Sequence, residues 1–321
     1  MKEKWASFII VLMLFSTLSF DVYSQVSPDS LQNSRLTWTT TVLSIGYGTT
    51  TYLLNEAWYN DYPRSSFHFY NDWGEWEHMD KIGHIFSSQF QSIYAYHLYK
   101  WAGVADKKSI TYGALTALLF QSTIEVLDGF SSQWGFSVPD FGANVLGASL
   151  FVVQQATWGS QNILFKVSGG VRSYDQMVTS NSGQSILLND RADDLFGNNA
   201  PSRLLKDYNA QTYWVSLNIK EIINAKKWPN WLNMSIGYGA ENMFGGFDNS
   251  WLADDKYFNL KERDFPRYHQ FYFSPDIDLT RIPTKSKFVK SLLQILNVFK
   301  VPFPTLEITS NGGFYFHFIK F

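Results

Sequence analysis

Between Gly83 and Ser160 the only charged residues are Lys100, Asp106, Lys107, Lys108, Glu125, Asp128 and Asp140. The first four crowd into or beside one short connection. The two apolar segments that follow therefore hold just three charges, all carboxylates. A carboxylate in such surroundings is costly unless it is paired, hydrogen-bonded or used. Any fold of this chain must give Glu125, Asp128 and Asp140 partners, and function is expected where it does so.

Asp80 to Trp101 reads as a helix with one polar stripe. Asp80, His84, Ser87, Ser88 and Gln91 recur at spacings of three and four, while Ile85, Phe86, Phe90 and Ile93 fall on other faces. Ser109 to Asp128 is a second helix, with Glu125 and Asp128 three apart on one side and Gly129 placed as its stop. A third helix opens at Pro139 and Asp140, or one step earlier with Ser137 as cap. In it Asp140 and Asn144 share a face, and Gly142, Ala143, Gly147 and Ala148 permit close helix contact. Upstream, Leu36 to Asn55 carries no charge. Its length suits a bilayer-spanning or buried helix, which is favoured over a hairpin turning at Gly46–Gly48. The aromatic-rich Trp58–His78 stretch reads as a loop: a lid, an interfacial belt or a packed structural loop.

Beyond Gln161 the pattern changes to period two. Gln161–Val171, Gln184–Leu188, Thr212–Ile219, Trp231–Ala240 and Tyr268–Arg281 are expected strands, Asn189–Pro201 a loop, and Thr305–Thr309 with Phe314–Phe321 a terminal hairpin. Trp231–Ala240 sets Leu232, Met234, Ile236 and Tyr238 against Asn233, Ser235, Gly237 and Gly239. Lys285–Lys300 reads as an amphipathic helix with Val289, Leu292, Leu293, Leu296 and Phe299 on its apolar face. The strands and the terminal Phe321 are similar to an outer-membrane barrel, but about six are too few for the usual closed form, so an ordinary sheet, attached to a membrane or not, is expected.

Met1–Ser24 has the layout of a secretory signal: Lys2 and Lys4, then an apolar run, then Val22-Tyr23-Ser24. The absence of cysteine excludes disulfides, thiol chemistry and a lipid-modified cysteine. A net charge of −2 offers no basic surface for nucleic acid. Aromatic residues make up 18%, including 12 Trp, which suits a membrane interface as well as an aromatic core.

If the three helices pack together, Asp80, His84, Glu125, Asp128, Asp140 and Asn144 converge. Such a set can hold a metal (Mg, Mn, Ca or Zn, given oxygen donors and one imidazole) or supply a general acid and base. It can equally be a buried polar network that locks helix packing. The signature motifs of zinc proteases and of serine hydrolases are absent.

The segments Asp80-Lys-Ile-Gly-His84, Glu125-Val-Leu-Asp128-Gly-Phe and Ser137-Val-Pro-Asp140-Phe-Gly-Ala-Asn144-Val-Leu-Gly147 resemble an uncharacterised family of bacterial envelope proteins typified by the YfiM-like lipoproteins. With its C-terminal extension the chain looks like the longer Bacteroidetes form. The resemblance implies an envelope location and no particular chemistry, and the missing cysteine departs from it. Asp80-Lys81-His84, Glu125 and Asp140-Asn144-Gly147 are also similar to the VanZ-like membrane family, with Asp128 standing where that family usually has Gln.

The expectation is an α+β protein: a signal at 1–24, a membrane-associated unit of about four helices at 25–160 holding the polar cluster, and a β-rich unit at 161–321 with a helix at 285–300. Its expected place is the cell envelope, on the outer-membrane or periplasmic side, with a membrane lipid or envelope component as partner. The alternative is an envelope scaffold without catalysis.

Overall fold

The structure is a computed structural model and describes residues 31–59, 62–179, 183–253, 255–261 and 265–320. The signal at 1–24 and Phe321 lie outside the described residues. The chain is α+β, with a helical N-terminal part and a β-rich C-terminal part. By its internal contacts it divides into two units. The first comprises residues 1–72, 83–162 and 279–298; the second comprises 73–82, 163–278 and 299–321.

The first unit is built on four long helices: α1 (Asn33–Leu54), α2 (Met79–Trp101, whose first turn belongs to the second unit), α3 (Asp106–Gly129) and α4 (Val138–Trp158). The charge-free run before Asn55 is thus helix, not hairpin. Short strands β1 (Phe69–Tyr70) and β2 (Phe136–Ser137) pair in parallel and pin the aromatic loop beside the start of α4. Phe67 lies edge-on to Phe69 and Phe130, with ring centroids 5.5 and 5.3 Å away. These rings touch one another while Phe67, Phe69 and Tyr70 stay exposed. Ser137 is the cap of α4, its Oγ accepting from the Asp140 amide at 3.0 Å. Pro139 follows in the first turn, where a missing N–H costs nothing.

Gly129 does not stop α3 by a left-handed turn. It is a close-approach position, since a Cβ there would strike the Phe67 ring. Gly147 has the same use, because its missing Cβ makes room for the Ile85 carbonyl of α2. Opposite it lie Ser88 and Gln89, both buried, with Ser92 one turn on. The polar, small-residue side of α2 is the packed side. Leu115 and Leu119 of α3 and Leu146 and Val153 of α4 are exposed. Among the described residues α3 is the one helix long and apolar enough to cross a bilayer.

The second unit is a six-stranded antiparallel sheet. Its strands are β3 (Ile163–Gly169), β6 (Gln211–Leu217), β7 (Leu232–Glu241), β10 (Tyr268–Ile277), β11 (Phe303–Thr309) and β12 (Phe314–Lys320). They lie side by side in chain order. Hairpins β4–β5 (Met177–Thr179, Ser185–Leu187) and β8–β9 (Ser250–Ala253, Lys256–Asn259) are insertions. The stretch expected as loop at Asn189–Pro201 instead contributes to helices α5 (Leu188–Phe196) and α6 (Ala200–Lys206). Leu188, Ala192 and Phe196 form the buried stripe of α5, at helical spacing that the surrounding Asp and Asn residues obscure. A short helix α7 (Ile219–Ile222) follows β6. Helix α8 (Lys287–Leu296), which belongs to the first unit, precedes β11 in the chain.

The sheet buries its small and polar side, together with Trp214 and Tyr272, and leaves many apolar side chains of the other side exposed. On β7 the buried side is Asn233, Ser235, Gly237 and Gly239, whereas Ile236 on the apolar side is 53% exposed. The register carries this across strands: Ile236 pairs Phe273, Tyr238 pairs Phe271, and Phe271 and Phe273 pair Ile308 and Leu306. All of these but Tyr238 are exposed. On the buried side Lys166 and Asp276, both fully buried, form an ion pair at 2.8 Å. Ser216 donates to Asp276 at 2.6 Å, Asn233 donates to Ser216 at 3.0 Å, and Lys166 also donates to the Ile277 carbonyl at 2.8 Å. Lys300, 3.9 Å from Asp276, donates to the Pro275 and Val301 carbonyls at 2.8 and 2.7 Å.

Removing one member of such a pair strands the other charge. Lys166→Met alone should therefore destabilise the second unit by roughly 3–5 kcal/mol. Lys166→Met combined with Asp276→Leu should recover part of that loss, because the two charges of the pair leave together while the buried Lys300 loses its neighbouring carboxylate. Thermal unfolding of the detergent-purified single and double variants checks this, and equal losses in both would show that the pair is not the term that matters.

Candidate functional site

Three helices of the first unit bring four of the six cluster residues together. His84 comes from α2, Glu125 from α3, and Asp140 and Asn144 from α4. Asn144 is fully buried and central. Its Oδ1 lies 3.1 Å from His84 Nδ1, and its Nδ2 donates to Glu125 Oε1 at 3.4 Å. With Oδ1 an acceptor, Nδ1 of His84 carries a proton. The same nitrogen is 3.5 Å from Glu125 Oε1, and Nε2 on the other side of the ring is 3.9 Å from Asp140 Oδ1. The imidazole thus sits between two carboxylates, Glu125 and Asp140, both buried while His84 keeps a small opening to solvent.

The frame around these groups is also hydrogen-bonded. Ser88 donates to the Asn144 carbonyl at 2.7 Å, binding α2 to α4. Ser137, which caps Asp140, donates to Asp72 Oδ1 at 2.6 Å, so the aromatic loop fixes the start of α4 from the other side.

The remaining two cluster residues, Asp128 and Asp80, have further partners of their own. Asp128 lies one turn beyond Glu125 and accepts from the Tyr59 hydroxyl at 2.7 Å. Burial, then the Asp128 and Glu125 charges, push the Tyr59 phenol far above its ordinary range, so it stays a donor. Asp80 lies one turn before His84 on α2 and so shares its helix face. Within the second unit it accepts from Tyr208 at 2.6 Å and from Lys81 at 3.1 Å.

Asp80 follows a strained turn, since Trp76, Glu77 and His78 all have positive φ (52°, 51° and 65°). Non-glycine residues pay for that conformation and hold it only where surroundings impose it. Here the Trp76 amide donates to the Gly246 carbonyl at 2.8 Å, Tyr238 donates to the Glu77 carbonyl at 2.6 Å, and Arg267 lies 3.6 Å from the Glu77 carboxylate.

Sequence reasoning missed Tyr59, Asp72 and Tyr208 as partners. Tyr59 and Tyr208 donate to the carboxylates of Asp128 and Asp80, and Asp72 accepts from the Ser137 that caps α4. For Tyr59 and Asp72 the advance signal was an aromatic-dense stretch before helices poor in charge, and Tyr208 had none.

Chemically the cluster offers one imidazole whose Nδ1 proton is engaged, with Nε2 on the side of Asp140. An imidazole set between two carboxylates is an arrangement that general acid–base chemistry uses. Nε2 and an Asp140 oxygen could also act as two ligands to a hard divalent cation.

Residues 69–156 match the model of a family described as predicted periplasmic lipoprotein (DUF2279). The match contains the whole His84–Glu125–Asp140–Asn144 network and ends before the sheet begins. It supports a likeness to an uncharacterised envelope family over this stretch, without carrying the YfiM-like or VanZ-like name. A lipoprotein in the usual sense needs a cysteine thiol for its lipid, and the 321 residues include none. No curated protein and no solved structure matches the chain.

Asn144 is the side chain the other groups depend on. Asn144→Ala leaves His84 Nδ1 and Glu125 without their shared partner and should cost about 1–3 kcal/mol for each buried group so stranded. Asn144→Asp should cost at least as much, because it adds a third carboxylate and removes the donor to Glu125. Both are read from thermal unfolding of the full chain. An Asn144→Ala variant as stable as the parent would show that the network does not hold the helices.

Proposed function

We propose that this chain is a cell-envelope protein seated at a bilayer on the periplasmic side, whose helical unit presents His84 with Glu125 and Asp140 to the polar headgroup of a lipid or cell-wall precursor. The observation that carries the reading is polarity turned inward. In the helical unit the hydrogen-bonded polar groups are inside and leucines and valines are outside. In the sheet unit the Lys166–Asp276 network is inside and an apolar face is outside. Water gives no reason for that arrangement, and a hydrocarbon environment does. The envelope location is further supported by the description of the family that residues 69–156 match.

On this reading the His84 ring, with its opening beside Asp140, is the group that meets the headgroup. Protonated, it donates to a phosphate or hydroxyl oxygen. A divalent cation held by Nε2 and Asp140 would bind the same phosphate through the metal.

A second reading is favoured by Asn144, whose complete burial and three-helix bonding are also what a packing lock requires. The two part in their response to mutation. For a headgroup site, His84→Ala or Glu125→Gln leaves the melting temperature at or above the parent value, because sites carry strain that stability alone would not select. The same variant fails to complement a deletion strain's envelope defect. It also loses any thermal shift that added phosphatidyl headgroup or Mg, Mn, Ca or Zn gives the parent. If Asp80→Asn, His84→Ala and Glu125→Gln all melt well below the parent, and neither headgroup nor cation shifts the parent, the lock is the better account. Recovery of the protein as freely soluble at high salt without detergent would remove the bilayer from both.

A further inference from the structure

A cleft of about 300 Å³ opens on the second unit, between the chain leaving β3 and the helices α5 and α6. Its polar lining includes Arg172, Asn189, Asp193, Asn198, Asn199 and Arg203, and Val171 and Ala200 supply an apolar patch. That volume is at the small end of what ligand sites enclose.

The floor is fixed before any ligand arrives. Arg203 is buried, its Nε donating to the Gly197 carbonyl at 2.8 Å and its Nη2 to Asp193 Oδ1 at 2.7 Å. Asp207, also buried, accepts from Arg203 Nη1 at 3.4 Å and from the Tyr174 hydroxyl at 2.8 Å. Both guanidiniums lie against the Tyr174 ring, the Arg172 and Arg203 carbons 5.4 and 5.7 Å from its centroid. The rim keeps open donors. Arg172 is anchored by Nη1, which donates to the Glu241 carboxylate at 2.6 Å, while its Nε and Nη2 have no partner among the described residues. Asn199 Oδ1 accepts from the Ser202 amide at 3.0 Å, and the Asn198 carboxamide bonds to no described residue.

Charge decides the class of ligand. Arg172 and Arg203 face three carboxylates, Glu241, Asp193 and Asp207, so no surplus positive charge awaits a phosphate or a carboxylate. Those carboxylates are engaged by arginine and offer no seat to a cation. Amides and guanidiniums also make a poor wall for an acyl chain, which would strip water from them and give no hydrogen bond in return. A neutral ligand rich in hydroxyls meets all three conditions. Adjacent hydroxyls on a pyranose ring suit the planar fork of a guanidinium or the paired donor and acceptor of a carboxamide, and the C–H face of the ring covers a patch such as the exposed Val171.

We propose that this cleft binds one neutral pyranose unit, with Arg172 and Asn198 hydrogen-bonding its hydroxyls and Val171 against its C–H face. The proposal uses the second unit alone and does not depend on the bilayer-seated reading.

Saturation-transfer-difference NMR on the full-length protein tests it, in lauryldimethylamine oxide because maltoside detergents themselves carry sugars. The probes are glucose, galactose, mannose and N-acetylglucosamine with their methyl glycosides, set against glucuronate and glucose 6-phosphate. The expected result is transfer to at least one neutral sugar and none above the detergent background to the two anions. Methyl glycosides that bind as well as the free sugars assign a residue of a glycan, and binding of the free sugars alone assigns a free monosaccharide. Asn198→Ala removes no hydrogen bond to a described residue, so it should melt like the parent and weaken binding about fivefold, the loss of one hydrogen bond. Arg172→Lys keeps a charge opposite Glu241 but loses the planar fork, and should weaken binding at least as much.

An absence of transfer to every neutral sugar overturns the proposal. Stronger transfer to glucuronate or glucose 6-phosphate than to the neutral sugars overturns the charge argument and the ligand class with it. Transfer that Asn198→Ala and Arg172→Lys leave unchanged puts the sugar somewhere else on the protein and overturns the assignment of the cleft. Should Arg172→Lys melt well below the parent, Asn198→Ala decides by itself.

Discussion

A buried polar group must find a partner inside the protein, and each of the two units is arranged around meeting that demand. In the helical unit the group is the Asn144 amide, which ties His84 of α2 and Glu125 of α3 to α4. In the sheet unit it is the Asp276 carboxylate, held by Lys166 and by Ser216. An unpaired charge in such a place would cost more than most single interactions in a protein contribute, so these contacts dictate which face of each helix and strand turns inward. Many apolar residues, Leu115, Leu146 and Ile236 among them, then take the faces that remain.

The arrangement explains features that would otherwise look unrelated. Gly147 faces the α2 backbone because the helices approach through small and polar residues rather than through leucines. Asn233 and Ser235 are buried on the strand whose Ile236 is exposed. The same logic reaches α8, fixed by Ser286, Asn297 and the Gln294 carbonyl while Leu292 points away. The conventional apolar cores are small by comparison. One comprises Tyr96, Ile110, Ala114, Ala148 and Phe151 in the first unit, and another gathers around Phe196, Phe244 and Trp251 in the second.

The proposed site follows from the same economy of charge. His84 is the one member of its network that keeps an opening to solvent, while its neighbours Glu125 and Asp140 are buried. A ring held at Nδ1 by an amide and flanked by two carboxylates is suited to proton exchange or to anion contact at Nε2, and the bonds from Ser88 and Ser137 keep it oriented. At Trp76–His78 three successive non-glycine residues have positive φ, and that turn leads into the helix start that carries Asp80.

Much of this was legible in the sequence, because periodicity and charge are local. The spacing of Asp80 and His84, of Glu125 and Asp128, and of Asp140 and Asn144 set each pair on one helical face. Alternation marked the main strands of the sheet. The helices at Leu188–Phe196 and Ala200–Lys206 were hidden, since their apolar stripe is thin and their Asn, Asp and Gly content imitates a loop. Periodicity separates two faces but does not say which one is buried. That choice depends on whether the polar face can satisfy itself across elements distant in sequence, as Lys166 does with Asp276 or His84 with Asn144. The sequence by itself determined the long helices, the main strands and which cluster residues share a helix face. Only the tertiary structure decided that Tyr59 takes Asp128 and that the polar faces turn inward, because a hydrogen bond between residues tens of positions apart has no local signature.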